Sequence, residues 1–223
     1  RSGTFDDTTP KLAITHSLND DVNIYASYTQ GFRSGSFDAR ARTIDSFLNS
    51  QPGPEEVTSI EVGLKSTFND GRILLNVALF QADYDDIQKL ALEECEVNID
   101  TCPSGRIQRL INAAKATIEG IEIETKISIT DQFSIEGSLG YTDAGFDEFL
   151  GFDADGVRGY DPVTDPAAAA ALKFERVPEL TYNIMANYFQ PLANGAELDF
   201  RLSYSYTDDF TNDALMTKAI ITD

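Results

Sequence analysis

A regular alternation of very short and very long connections constrains this chain more than any other feature. Segments with strand-like patterning come in pairs, each joined by a short polar turn. "PKLAITHSL" and "VNIYASYTQGF" flank residues 19–21 (NDD), and "EEVTSIEVGLKSTF" and "RILLNVALFQADYDDIQ" flank 69–71 (NDG). "ATIEGIEIETKISI" and "FSIEGSLGYTDAGF" flank 130–132 (TDQ), and "ELTYNIMANYFQPL" and "AELDFRLSYSYTDDF" flank 193–195 (ANG). Asn, Asp and Gly supply the positive φ that tight hairpin turns demand. The pattern predicts an all-β chain of eight strands in four hairpins, near 10–32, 55–89, 107–143 and 176–210. Between the hairpins lie long connections near 33–54, 85–106 and 143–176. Connections in compact domains have a median of only ~4–6 residues.

Within the segments apolar and polar residues alternate with a period of two, which places them on opposite faces of a strand. Ile60, Val62 and Leu64 oppose Glu61 and Lys65; Ile121, Ile123, Ile127 and Ile129 oppose Glu122, Glu124, Lys126 and Ser128. Phe133, Ile135, Leu139 and Tyr141 oppose Ser134, Glu136, Ser138 and Thr142. Leu198, Phe200, Leu202, Tyr204 and Tyr206 oppose Asp199, Arg201, Ser203 and Ser205. "RILLNVALF" is apolar on both faces at its start, so its orientation stays open. Alternation fixes register but does not say whether the apolar face meets lipid or a second sheet.

The pattern of connections bears on that choice. In an antiparallel meander successive connections lie at opposite ends, so one end carries every short turn and the other every long loop. Outer-membrane barrels have this layout, with short periplasmic turns and long extracellular loops. No apolar run approaches the ~18 residues of a transmembrane helix, and barrel strands barely register in hydropathy. Phe68, Phe133 and Phe189 fall near short turns, and Tyr28, Phe32, Tyr84, Tyr141, Tyr204 and Tyr206 toward the long loops, as two interfacial girdles would require. From Phe133 to Tyr141 is eight steps. At ~3.3 Å each and a tilt of about 40° they span roughly 20 Å, near the ~25 Å apolar band of such barrels. The chain has no Trp, which favours interfaces. The net charge of −20 argues against a nucleic-acid partner.

Several phrases together, in this order, carry a family resemblance: "YASYTQGFRSG", "EVGLKSTFNDGR", "DYDDIQ" and "IEGIEIE". The chain resembles the barrel of TonB-dependent outer-membrane receptors over nearly its whole length except the loops. The resemblance implies an antiparallel up-and-down meander contributing about eight strands to a larger transmembrane barrel of roughly 22 strands, left here as an open, curved sheet. It implies active import of a scarce ligand such as a ferric siderophore across the Gram-negative outer membrane, no enzymatic activity and no cofactor. Implied partners are outer-membrane lipid and lipopolysaccharide, a plug domain of the same parent chain, and the TonB complex acting through an N-terminal part. The start at "RSGTFDD" and the stop at "AIITD" read as those of a piece of a longer protein. Alternatives are a passive outer-membrane channel, an adhesin barrel, or a soluble β-sandwich binding module whose apolar faces pack on each other.

Candidate site residues follow from the polar face. Glu61, Lys65, Glu122, Glu124, Lys126, Asp199 and Arg201 are expected to face the lumen and to hold a plug through ion pairs and hydrogen bonds; the bland reading is cross-strand pairing within the barrel wall. Cys95 and Cys102, the two cysteines, share the second long connection and suggest a local disulfide. With no His near them, they do not suggest a metal site. His16, the sole histidine, sits among Leu12 and Ile14 beside a short turn and reads as an interfacial side chain. Asp153, Asp155 and Gly156 lack the spacing of an EF-hand. The 143–176 connection holds eight acidic residues against three basic, and 85–106 holds six against two. These charges suit a solvated loop, or one that binds divalent ions bridging lipopolysaccharide.

Overall fold

The computed structural model of the chain describes residues 3–37, 48, 50–94, 96–98, 105–149, 172–212 and 221–222. Of residues 90–94, 106–109 and 221–222 only the backbone is described. Cys95, Cys102, Asp153, Asp155 and Gly156 lie outside the described residues.

Eight strands form one antiparallel sheet in strict chain order: β1 (Lys11–Ser17), β2 (Val22–Arg33), β3 (Glu55–Phe68), β4 (Ile73–Glu94), β5 (Arg106–Ser128), β6 (Phe133–Phe149), β7 (Leu180–Pro191) and β8 (Glu197–Thr207). Two short strands, β9 (Phe210–Thr211) and β10 (Ile221–Thr222), pair separately. Within the sheet β1 and β8 do not pair with each other, so it is open. It is a single layer. The buried apolar side chains of the described residues are Ile87, Ala113, Ala114, Ala116, Phe146 and Phe149. Leu202, Leu12 and Ile14 remain 75%, 71% and 68% exposed. A β-sandwich would bury such residues between its sheets; here nothing among the described residues covers them.

The turns differ in how they are made. Asn69, Asp70 and Gly71 all adopt positive φ, and so does Gly195, as the turn residues require. The NDD and TDQ turns instead use side chains. Asn19 Oδ1 accepts the Asp21 amide at 2.9 Å, and Thr130 Oγ1 accepts those of Gln132 and Phe133 at 3.2 and 2.9 Å.

The largest departure from the sequence reading is the second connection. The chain does not leave the sheet at Asp85: β4 and β5 stay paired up to Glu94↔Arg106. "DYDDIQ" is a bulge inside a strand, not the strand's end. Tyr84 partners Ala116 and Ile87 partners Ala114, so Asp85 and Asp86 together oppose Lys115. Asp86 takes φ 57°, a conformation Asp tolerates better than most residues. Likewise β6 runs past residue 143 to Phe149, with a bulge where Asp147 is the extra residue. The two strands therefore project beyond the apolar band toward the long-loop end.

Candidate functional site on the polar face

Cross-strand partners share a face, so the register sorts every side chain of the sheet. One face carries the rows Ile14–Ala26–Val62–Leu79–Ile121–Tyr141–Leu180 and His16–Ile24–Leu64–Val77–Ile123–Leu139–Tyr182–Tyr206. Toward the short turns it ends in Phe68, Phe133, Tyr188 and Phe200; toward the long loops it carries Tyr28, Phe32, Tyr141, Tyr182 and Tyr206. Tyr182 stacks on Tyr206 at 5.1 Å. Phe189 and Tyr84 do not belong to these girdles. Phe189 partners Asp199 and Tyr84 partners Val57, which puts both on the opposite face. Both lie near a strand end, but their parity is that of the polar face. Hydroxyls on the apolar face bond to carbonyls: Ser66 Oγ to Leu75 O at 2.7 Å and Thr125 Oγ1 to Leu74 O at 3.0 Å. They thereby lose the cost of an unpaired polar group facing apolar surroundings. A groove of about 540 Å³ lies on this face among Ile14, Val62 and Leu79.

The other face gathers all seven residues expected there: Glu61 and Lys65 on β3, Glu122, Glu124 and Lys126 on β5, and Asp199 and Arg201 on β8. It also settles β4, whose Leu74, Asn76, Ala78 and Phe80 point this way. Phe80 lies over Gly120, where an added Cβ would come within 2.7 Å of the ring and 2.3 Å of the Tyr141 carbonyl oxygen. An aromatic on the polar face is thus accommodated by a missing side chain opposite it.

The seven residues are not one constellation. Near β2 and β3, the Tyr25 hydroxyl donates to Glu61 Oε1 at 2.7 Å, its ring covers Gly63, and Lys65 Nζ stands 5.7 Å from the ring centre. Farther along, Asn76 Nδ2 donates to Glu124 Oε2 at 3.4 Å and Lys126 Nζ meets Glu136 at 2.8 Å. At β7–β8, Arg201 Nε donates to Asn187 Oδ1 at 3.0 Å. Lys126, Glu136, Asn187, Asp199 and Arg201 border a concavity of about 430 Å³ at the short-turn end. Glu122 and Asp199 have no side-chain hydrogen bond or ion pair among the described residues.

Tyr25, Gly63, Asn76, Glu136 and Asn187 complete these clusters and were not singled out from the sequence. Their signal was parity with the charged residues, and for Gly63 a glycine inside a strand, which often marks close approach. His16 sits on the apolar face opposite Ile24 beside the first turn, where the sequence reading put it.

At the long-loop end this face closes into a small apolar cluster of Tyr84, Ile87, Ala114, Ala116, Phe146 and Phe149 with Leu172 and Phe174. Phe174 stacks on Phe146 at 4.9 Å, and Lys89 Nζ lies 5.5 Å from the Phe146 ring and 3.4 Å from Glu175. These contacts bring the returning limb of the third connection back onto β4 and β6.

The apolar face carries aromatic rims and, among the described residues, has no cover, and solved structures share this sheet. The ferric yersiniabactin uptake receptor FyuA from Yersinia pestis superposes with TM-score 0.63 at 16% identity, over 93% of this chain and 27% of that one. The siderophore receptor PiuA from Acinetobacter baumannii superposes with TM-score 0.63 at 19% identity, over 92% and 26%. The ferric preacinetobactin receptor BauA, also from Acinetobacter baumannii, gives 0.61 at 17% identity, over 93% and 26%. This chain therefore spans about a quarter of the length of the solved receptors it matches, and at these identities the likeness is one of fold. The family model described as "TonB dependent receptor-like, beta-barrel" matches residues 1–219. With the meander, the uncovered apolar band and this match over almost the whole sequence, the chain belongs to the TonB-dependent receptor β-barrel family of the Gram-negative outer membrane.

Proposed function

We propose that this chain is a stretch of barrel wall in a receptor that actively imports a ferric siderophore, and that it performs no enzymatic chemistry. The observation that carries the reading is the division of one sheet into two faces: an uncovered apolar band and a charged, hydrogen-bonded inner wall. The similar solved structures are siderophore receptors, which supports the choice of cargo. On this reading the inner wall holds a plug domain of the parent chain. Glu61, Lys65, Glu122, Glu124, Lys126, Asp199 and Arg201 offer it charge. Glu122 and Asp199 are the foremost contacts because the wall does not already engage them. Lys126, Glu124 and Arg201 are partly satisfied within the wall and would contribute less. Lipopolysaccharide would meet the outer rim, and TonB would act through the plug.

The test is uptake of radiolabelled iron by cells carrying the full-length receptor, supplied with ferric hydroxamate, catecholate and hydroxycarboxylate complexes in turn. Saturable uptake of one complex that stops when TonB is deleted supports the reading. Uptake that persists without TonB, together with an open-pore conductance in planar bilayers, favours a passive channel. For the plug contacts, Glu122→Ala and Glu124→Ala in the full receptor should weaken plug retention and transport. Unchanged values for both would remove the seven residues from that role.

A further inference from the structure

The "DYDDIQ" and "LINAA" stretches meet at a pair of carboxamides, Gln88 buried and Asn112 half-buried, that the import reading leaves without a role. Gln88 and Asn112 are direct partners across β4 and β5, just beyond the Asp85–Asp86 bulge. Gln88 is 6% exposed. Its Nε2 donates to Ser34 O at 2.9 Å and to Gly53 O at 3.1 Å, and its Oε1 accepts from Ser36 Oγ at 3.2 Å. The Gln88 amide donates to Glu55 Oε2 at 3.0 Å. Asn112 Oδ1 accepts the Gly53 amide at 2.7 Å, and its Nδ2 donates to Gly53 O, Pro54 O and Asp86 O at 3.2, 3.3 and 2.6 Å.

These partners have a common origin. Ser34 and Ser36 leave the sheet at the end of β2; Gly53 and Pro54 return to it at the start of β3. The two limbs also touch directly, through Ser36 N–H to Pro52 O at 3.3 Å. Gly35 lies so close to Phe5 and Pro52 O that a Cβ there would come within 2.4 and 2.7 Å of them. A carboxamide offers both donor and acceptor, so it can bind main chain as a peptide group does. Two of them stacked across a ladder hold both limbs where β3 has ended and β4 and β5 project alone.

We propose that Gln88 and Asn112 act as one latch, positioning residues that fix the root of the first long connection on the β4–β5 projection. The latch works as a unit: Gln88 grips both limbs, Asn112 grips the returning limb and the bulge, and the limbs bond each other through Ser36 N–H and Pro52 O. The position of the loop's root at the outer mouth is then set by two side chains outside the loop, one on β4 and one on β5.

The test is hydrogen exchange on the full-length receptor in lipid, comparing wild type with Asn112→Asp, Asn112→Leu and Gln88→Met. Asn112 makes no hydrogen bond to residues 34–37; its partners are Gly53, Pro54 and Asp86. A unit predicts that Asn112→Leu speeds exchange of the Ser36 amide at least tenfold, as well as that of Gly53. Gln88→Met, which touches Gly53 only at its carbonyl, should speed exchange of the Gly53 amide by a similar factor. Amides of the 129–133 turn should not change. Asn112→Asp keeps the shape and the acceptor but loses the donors, so it reports on the latch even if the leucine variant fails to fold. Faster exchange confined to the residue each side chain touches would overturn the proposal. So would an Asn112→Asp variant with wild-type exchange at both limbs.

Discussion

A single arginine, moved along β4, tests which face meets lipid. On this strand the apolar face runs Ile73, Leu75, Val77, Leu79 and then meets Gln81, which heads the row with Glu119 and Asp143. Eight steps of ~3.4 Å at a tilt of about 40° give a height of roughly 20 Å, so Val77 lies near the middle of the band. Its cross-strand partners are Leu64 and Ile123, neither able to neutralise a guanidinium. Val77→Arg should cost about 2–4 kcal/mol and Ile73→Arg only about 0–1, because the penalty of a charge on the lipid face falls toward the interfaces. At ~3 kcal/mol the folded-to-unfolded ratio falls by about two orders of magnitude. Ala78 is the control. It is the next residue in sequence but lies on the polar face, directly opposite Glu122. Ala78→Arg gains a carboxylate partner there and should be close to neutral. The assay is equilibrium unfolding of the full-length receptor in phospholipid vesicles, with denaturant midpoints compared across the three variants. The reasoning fails if Val77→Arg is no worse than Ala78→Arg, or if Ile73→Arg costs as much as Val77→Arg.

Other substitutions probe the wall itself. Gly120→Ala should destabilise by about 1–3 kcal/mol, as overpacking does. It should cost more than Gly63→Ala, because the clash at Gly120 includes a main-chain oxygen at 2.3 Å while that at Gly63 is with the movable Tyr25 ring; paired denaturation curves give the order. Tyr25→Phe should cost about 1.5–3 kcal/mol if the bond to the charged Glu61 forms in the membrane. Gly63→Ala, by displacing the ring, should make that second substitution nearly silent in a double-mutant cycle. Lys126 and Glu136, 53% and 33% exposed, should couple by no more than ~1 kcal/mol and less at high salt. Gly71→Ala meets no atom within 4 Å but must keep φ 81°, so it should cost about 1–2 kcal/mol through backbone strain alone, read as a lowered midpoint.

What could be read in the sequence was whatever depends on neighbours along the chain. Period-two alternation placed Glu61, Lys65, Glu122, Glu124, Lys126, Asp199 and Arg201 on one face because parity is a local property that register only has to preserve. "NDG" was legible because three successive positive-φ residues need such side chains. The bulge was not. "YDDIQ" introduces two acids where the apolar pattern fades, and fading polarity looks the same whether a strand ends or merely rises out of lipid. Continuation becomes visible only when β5 is seen beside it, with Asn112 Nδ2 on the Asp86 carbonyl. Gln88 and Asn112 were illegible for a deeper reason. Apart from Ser36 and Glu55, their partners are carbonyls and one amide of residues 34, 53, 54 and 86, and a main-chain group is the same at every residue. No side-chain pattern at those positions could announce the contact. The sequence carries one end of it, two amide side chains near a pair of bulges, and the fold supplies the other by starting β3 at Glu55, level with the end of β2, while β4 and β5 run on to Glu94 and Arg106. Substitutions within residues 34–54 other than at Ser36, which bonds Gln88, and Gly35, which has no room for a side chain, should therefore leave the root in place, and those at Gln88 or Asn112 should move a loop they do not belong to.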